Sequence, residues 1–366
     1  MNNEQRQERH KQKTHCRKAK RKQRQTLNLL ALTIVLVLVT AAVALVTKPN
    51  LVEAVKDKLP GWLQATGRTG NSLPGKNKQG TIKVKADDLV VILDPGHGGS
   101  DTGAQAKDST GRTINEADFN LALSKQVKEH LKKLGIEVLM TRQDASWVSL
   151  YNRISQAGIA SLDKLALDRP EILPAAKQLT ALRAALQEPI RINSDTRTSG
   201  GLGFMGGYGV GILQADLLDL QRQCVNVLYV SIHANSSTNS DLHGTQVYYI
   251  DDNTVELSES EPLATQTDPA GHRIYRGRDN ERNRKLAVAV YDSIVSAVPK
   301  LGGTNAGKAV LTGNYAVLRE QALASIMVET GFLSNSEDLK FLLAKNNQAE
   351  LAEAIAKGIE NYAKSN

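Results

Sequence analysis

The chain has 366 residues, is 41% hydrophobic and 23% charged, and has room for one large or two modest domains. Two cysteines exclude a disulfide-stapled scaffold, and the supply of Leu, Ile, Val and Ala excludes wholesale disorder despite only 4% aromatics. The net charge of +8 belongs to residues 1–25, where ten Lys and Arg face only Glu4 and Glu8. The remaining chain is balanced, so no nucleic-acid partner is expected.

Residues 1–26 form the basic tail. The run from Leu27 to Val46 follows without a charge, its only polar residues being Asn28, Thr33 and Thr40. About 20 apolar residues match a hydrocarbon core of ~30 Å, and the basic flank sets the tail in the cytoplasm. Residues 27–47 are therefore expected to be a single-pass transmembrane anchor, with everything after them outside. A cleaved signal peptide is the competing reading, because Ala41-Ala42-Val43-Ala44 offers an Ala-x-Ala-like exit, and cleavage would make the protein secreted. Residues 48–87 read as a stalk, with Gly, Asn, Ser and Lys concentrated between Ala65 and Thr81.

From residue 88 the pattern becomes that of a folded domain running to residue 366. Leu89–Asp94 is a continuous apolar run, as in a strand buried on both faces. Glu116 to Leu134 is helical, with Phe119, Leu123, Val127, Leu131 and Leu134 on one stripe and Gly135 closing it. Strands are expected at Ile136–Thr141, Val227–Ala234, Gly244–Ile250 and Ala324–Glu329, and helices at Asn283–Val298 and from Asn347 to Ala363. The alternation implies an α/β fold with a mostly parallel sheet flanked by helices. Cys224, before an apolar run, reads as a small buried residue.

Ligands of such sheets bind beyond the C-terminal ends of the strands. His97, His233 and Glu329 each fall at a strand end, and Glu116 opens a helix at the same edge. Singly, each has a plainer reading: strand-end histidines are commonly structural, and Glu116 also complements a helix dipole. Together, two imidazoles and a carboxylate suit a hydrolytic zinc with one open position, with His97, Glu116 and His233 as ligands. Glu329, inside the apolar run IMVETGF, is the candidate general base and proton donor.

The segments VVILDPGHGGSDTGA, NEADFNL, YVSIHANSS, GTQVYY and IMVETGFLSNSEDLKFL resemble the zinc-dependent N-acetylmuramoyl-L-alanine amidases, the Amidase_3 type of cell-wall hydrolase. The resemblance covers about Leu89 to Tyr362, with one interruption. It implies zinc on His97, Glu116 and His233 and a catalytic Glu329. The implied reaction is hydrolysis of the amide between N-acetylmuramic acid and L-alanine in peptidoglycan. Asn235 and Arg319 lie in family-like stretches and are candidate substrate contacts. Strand-end hydrogen bonding and a surface ion pair are their plainer readings. His243 and His272 match no motif and read as surface or structural.

Two departures stand out. From about 159 to 222 the chain carries an insertion, helical over Pro174–Gln187 and glycine-rich over Thr198–Gly211. It reads as a surface excursion, a lid over the metal site, or a contact for a protein regulator. The stretch before Glu329 also lacks the family's frequent proline. Two other functions stay open: another zinc peptidase acting on stem peptides, and a non-catalytic wall-binding protein.

Overall fold

The computed structural model describes residues 88–265, 272–303 and 309–365. The expected tail, anchor and stalk (1–26, 27–47 and 48–87) lie outside the described residues. Among the described residues, no helix is long and apolar enough to cross a membrane.

Strand β1 (Val90–Pro95) is buried along its whole length, as its unbroken apolar run requires. It pairs in parallel with β4 (Glu137–Met140) on one side and β5 (Val227–Asn235) on the other. β5 continues in parallel to β8 (Ala324–Phe332). Here the sheet turns mixed: β6 (Gln246–Tyr249) runs antiparallel to β8, and β7 (Val310–Thr312) lies parallel to β6. The six-stranded order is β4-β1-β5-β8-β6-β7. A small hairpin of β2 (Gln105–Lys107) and β3 (Thr113–Asn115) leads into the first helix.

Side chains alternate across the sheet, so each strand feeds two cores. Val91 and Leu93 face a core with Phe119, Leu123, Val127 and Leu131 of α1 (Glu116–Lys133). Two further helices close that layer: α6 (Asn280–Ala297) and α9 (Lys345–Ser365), reached through the short α8 (Ser336–Leu343). Val90, Ile92, Tyr229 and Met327 face the opposite layer. There α2 (Leu150–Asp168) contributes Ala157 and Leu165, α5 (Asp252–Thr265) Val255, and α7 (Ala316–Arg319) Val317 and Leu318. Cys224 packs in this layer, and burial pushes its thiol up to about 12, so it fills space rather than reacts.

The inserted segment has a core of its own. Leu182 and Leu186 of α3 (Ala176–Ile192) pack with Leu202 and Met205 of the glycine-rich stretch. They meet Tyr151, Ile154 and Leu162 of α2 and Leu217 of α4 (Ile212–Gln223). Each such side chain contributes roughly 1.5–3 kcal/mol by burial. Asn193 and Asp195 tie the segment to the start of α2, accepting from the backbone N–H groups of Ser149 (2.9 Å) and Leu150 (2.7 Å).

Candidate metal centre

β1 delivers the chain to a sharp turn at Gly96, His97, Gly98 and Gly99. His97 takes the left-handed backbone, with φ of 60°, a conformation disfavoured for side chains other than glycine. Two buried arginines hold it there. Arg153 donates to the carbonyls of Pro95 (2.8 Å) and His97 (2.7 Å). Arg142 donates to Pro95 (2.9 Å), Gly96 (2.9 Å) and Ala117 at the head of α1 (2.7 Å). Arg153 also pairs with Asp94 at 2.5 Å, the two side chains being 3% and 1% exposed. Burial pushes Asp94 up, but Arg153 and the hydroxyls of Thr141 and Ser231 outweigh it and hold the carboxyl at about 2.

The donors converge from three elements. His97 Nε2 lies 3.2 Å from Glu116 Oε2. Glu116 Oε1 lies 2.9 Å from His233 Nδ1 near the end of β5. The two imidazoles meet edge to face, 4.9 Å between centroids. One ligand atom from each of the three residues lies within 4.8 Å of the others. Backbone N–H groups of Ala104 (2.8 Å) and Ala234 (3.2 Å) and the amide of Asn120 (3.1 Å) donate to the Glu116 carboxylate and fix it. Space for the cluster depends on two glycines. A Cβ at Gly96 would stand 2.2 Å from the His233 ring, and one at Gly103 would stand 2.5 Å from Glu116 Oε2.

The electrostatics favour positive charge at this point. Burial opposes charging of His97, yet the Glu116 and Asp101 carboxylates outweigh it and raise the imidazole to about 9. Burial likewise favours neutral Glu116, but the two imidazoles hold it well below the usual carboxylate range. Two imidazole nitrogens and one carboxylate, clustered and partly buried, fit a zinc ion by donor chemistry. Asp101 Oδ2 lies 2.8 Å from His97 Nδ1, the kind of carboxylate–imidazole contact that orients histidines in metal sites.

Glu329 sits opposite His233 in the β5–β8 register. Its Oε2 is buried and accepts no hydrogen bond from the described residues. Burial raises its carboxyl to about 7, the charges of His233 and His97 opposing and that of Glu116 assisting. A β-bulge follows His233, and Thr330 Oγ1 donates to the His233 carbonyl at 2.9 Å, fixing the strand end.

The Amidase_3 profile, described as N-acetylmuramoyl-L-alanine amidase, matches residues 91–164 and 214–361. The chain belongs to this amidase family. AmiC of Neisseria meningitidis serogroup B is 23% identical over 304 residues, covering 79% of this chain and 55% of that protein. AmiA of Escherichia coli K12 is 22% identical over 341 residues, covering 88% of this chain and 89% of that one. Among solved structures, AmiC2 of Nostoc punctiforme is 24% identical, covers 75% of this chain and 97% of its own, and superposes with a TM-score of 0.44.

Within this amidase-family chain, the four motif residues His97, Glu116, His233 and Glu329 lie at one sheet edge. The two other candidates are held by neighbours. Asn235 donates to Gln246 at 3.0 Å and accepts from the Ser236 N–H at 2.8 Å. Arg319 pairs with Glu259 and Glu320, each at 2.9 Å, and donates to the Gly207 carbonyl at 2.7 Å. Sequence reasoning missed Asp101, Arg142 and Arg153. Asp101, four residues past His97, carried a local signal. The arginines reach the Pro95–His97 turn across more than forty residues and carried none.

Proposed function

We propose that the chain hydrolyses the amide between N-acetylmuramic acid and L-alanine in peptidoglycan, with zinc held by His97, Glu116 and His233. The observation that carries this reading is the pairing of a two-histidine, one-carboxylate cluster with a half-buried carboxyl on the adjacent strand whose Oε2 accepts no hydrogen bond from the described residues. When bound, the metal supplies Lewis-acid polarisation of the scissile carbonyl and acidifies water. Glu329 takes the proton of the attacking water as its oxygen adds to the lactyl carbonyl carbon. It then returns that proton to the alanine nitrogen as the carbon–nitrogen bond breaks. A carboxyl raised to about 7 suits both directions of transfer. Asn235 borders the site as a substrate contact, and Arg319 acts through the Gly207 backbone that it holds.

The test is digestion of purified peptidoglycan by the full chain with zinc, alongside Glu329→Gln, with products read by mass spectrometry. Stem peptides that begin with L-alanine, absent with the variant, are expected. Release of terminal amino acids instead would make it a peptidase, and wall binding without products would make it a binding protein. We further propose that residues 27–47 anchor the catalytic domain outside the membrane, with 1–26 cytoplasmic. Protease added to intact cells should cut the domain and spare the tail.

A further inference from the structure

Three tyrosines from separate segments lead away from Glu329. Gln246 pairs with Glu329 in the β6–β8 register, and Tyr248 pairs with Met327. Met327 and Glu329 are two apart on β8, so Tyr248 lies on the Glu329 face of the sheet. Tyr248 Oη reaches Gln246 Oε1 at 3.3 Å, and Gln246 in turn accepts from Asn235. Tyr315, the residue before α7, lies edge to face on Tyr248, with 5.2 Å between centroids. Gly313 leaves room for this pair, since a Cβ there would come within 2.5 Å of Tyr315 and 3.0 Å of Tyr248. One helical turn on, the Arg319 guanidinium lies 5.9 Å from the centre of the Tyr208 ring. The order from the catalytic carboxyl is thus Glu329, Tyr248, Tyr315, Arg319, Tyr208.

Tyr208 is presented by a fixed turn. Arg319 holds the Gly207 carbonyl before it, and the Gly209 N–H after it donates to Glu259 Oε2 at 2.9 Å. Its flanking glycines have φ of 78° and 64°, conformations that admit the turn without strain. Even so, Tyr208 is 43% exposed and Tyr315 is 37% exposed. Neither ring is buried for stability, yet both are anchored.

Exposed aromatic rings, here Tyr208 and Tyr315, suit the flat C–H face of a sugar. Charge argues for the neutral glycan over the acidic stem peptide. Arg319, the cation under the row, is already matched by Glu259 and Glu320, both 2% exposed. We propose that Tyr315 and Tyr208 form a saccharide-binding row that stacks pyranose rings of the glycan strand, with Tyr248 bracing the Tyr315 ring edge to face. The glycine-rich segment extends the row by placing Tyr208 beyond Tyr315. This inference rests on the amidase reading, which puts the sugar bearing the lactyl group beside Glu329.

The probe is a β-1,4-linked N-acetylglucosamine hexasaccharide, which lacks the lactyl–alanine amide that is cut. It is titrated calorimetrically into the full chain in detergent micelles. Tyr208→Ala and Tyr315→Ala should each weaken binding about tenfold, with Tyr208→Phe and Tyr315→Phe near wild type. Unaltered thermal melting of each variant shows that folding is intact. Both Ala variants should also lose at least tenfold more kcat/KM on polymeric peptidoglycan than on a minimal muramoyl dipeptide. Unchanged hexasaccharide binding would overturn the row, as would a loss confined to isolated stem peptide. Tyrosine-dependent binding without amide cleavage by any variant would uphold the row and remove the amidase reading.

Discussion

Replacing Arg153 with Met keeps most of the volume and removes the charge that compensates Asp94. The carboxylate, 1% exposed, would keep the hydroxyls of Thr141 (2.6 Å) and Ser231 (2.7 Å) but lose its paired guanidinium. Removing one partner of a buried pair costs about 3–5 kcal/mol, because the other charge stays desolvated. For a domain of this size that lowers Tm on the order of 10 °C. The deficit should depend on pH in a definite sense. In the wild type, Asp94 is depressed to about 2, so its contribution is complete above its unfolded value near 3.8 and fades as pH falls through 2. In the variant, burial wins, the folded carboxyl titrates above 3.8, and a proton relieves the unpaired charge. Urea unfolding followed by circular dichroism should therefore show the deficit shrinking from pH 7 to pH 4. Adding Asp94→Asn should recover part of it at pH 7. A deficit below about 1 kcal/mol, or one indifferent to pH, would refute the argument.

The remaining expectations concern the site. Glu329→Gln should reduce kcat by about 10²–10⁴ while leaving bound zinc, measured by elemental analysis, unchanged. Asp101→Ala removes the support of His97 Nδ1 and should weaken zinc affinity about 10–100-fold in chelator competition; an unchanged affinity would remove Asp101 from the centre. Gly96→Ala drives a methyl into the His233 ring, 2.2 Å from its ideal Cβ. It should cost about 1–3 kcal/mol of stability and lower zinc affinity together; a variant that binds zinc normally would show that the ring has room to move.

What local sequence could settle, it settled. Val90–Pro95 reads as a buried strand because both its faces are apolar. The stripe from Phe119 to Leu131 reads as a helix because its spacing follows the turn, and the helix ends before Gly135, whose φ of 78° stops it. His97, Glu116, His233 and Glu329 were legible because each sits at an element end that an α/β sheet brings to one edge. Their contact, at 2.9–3.2 Å between the histidines and Glu116, was not.

Tertiary structure decided the rest. The antiparallel course of β6 depends on pairing with β8, and no residue within QVYY encodes a direction. The glycine-rich insertion has no periodicity to read, yet it is ordered by Leu202 and Met205 against α2 and by Arg319 against its carbonyl. Arg153 in sequence is one polar residue on a helix. Only folding sets it against Asp94, Pro95 and His97, where a desolvated charge must find partners and so holds the His97 turn in place. Periodicity and motif spacing are properties of neighbours along the chain. Charge compensation and ring stacking belong to neighbours in space, and these determine how the candidate site is held and what it faces.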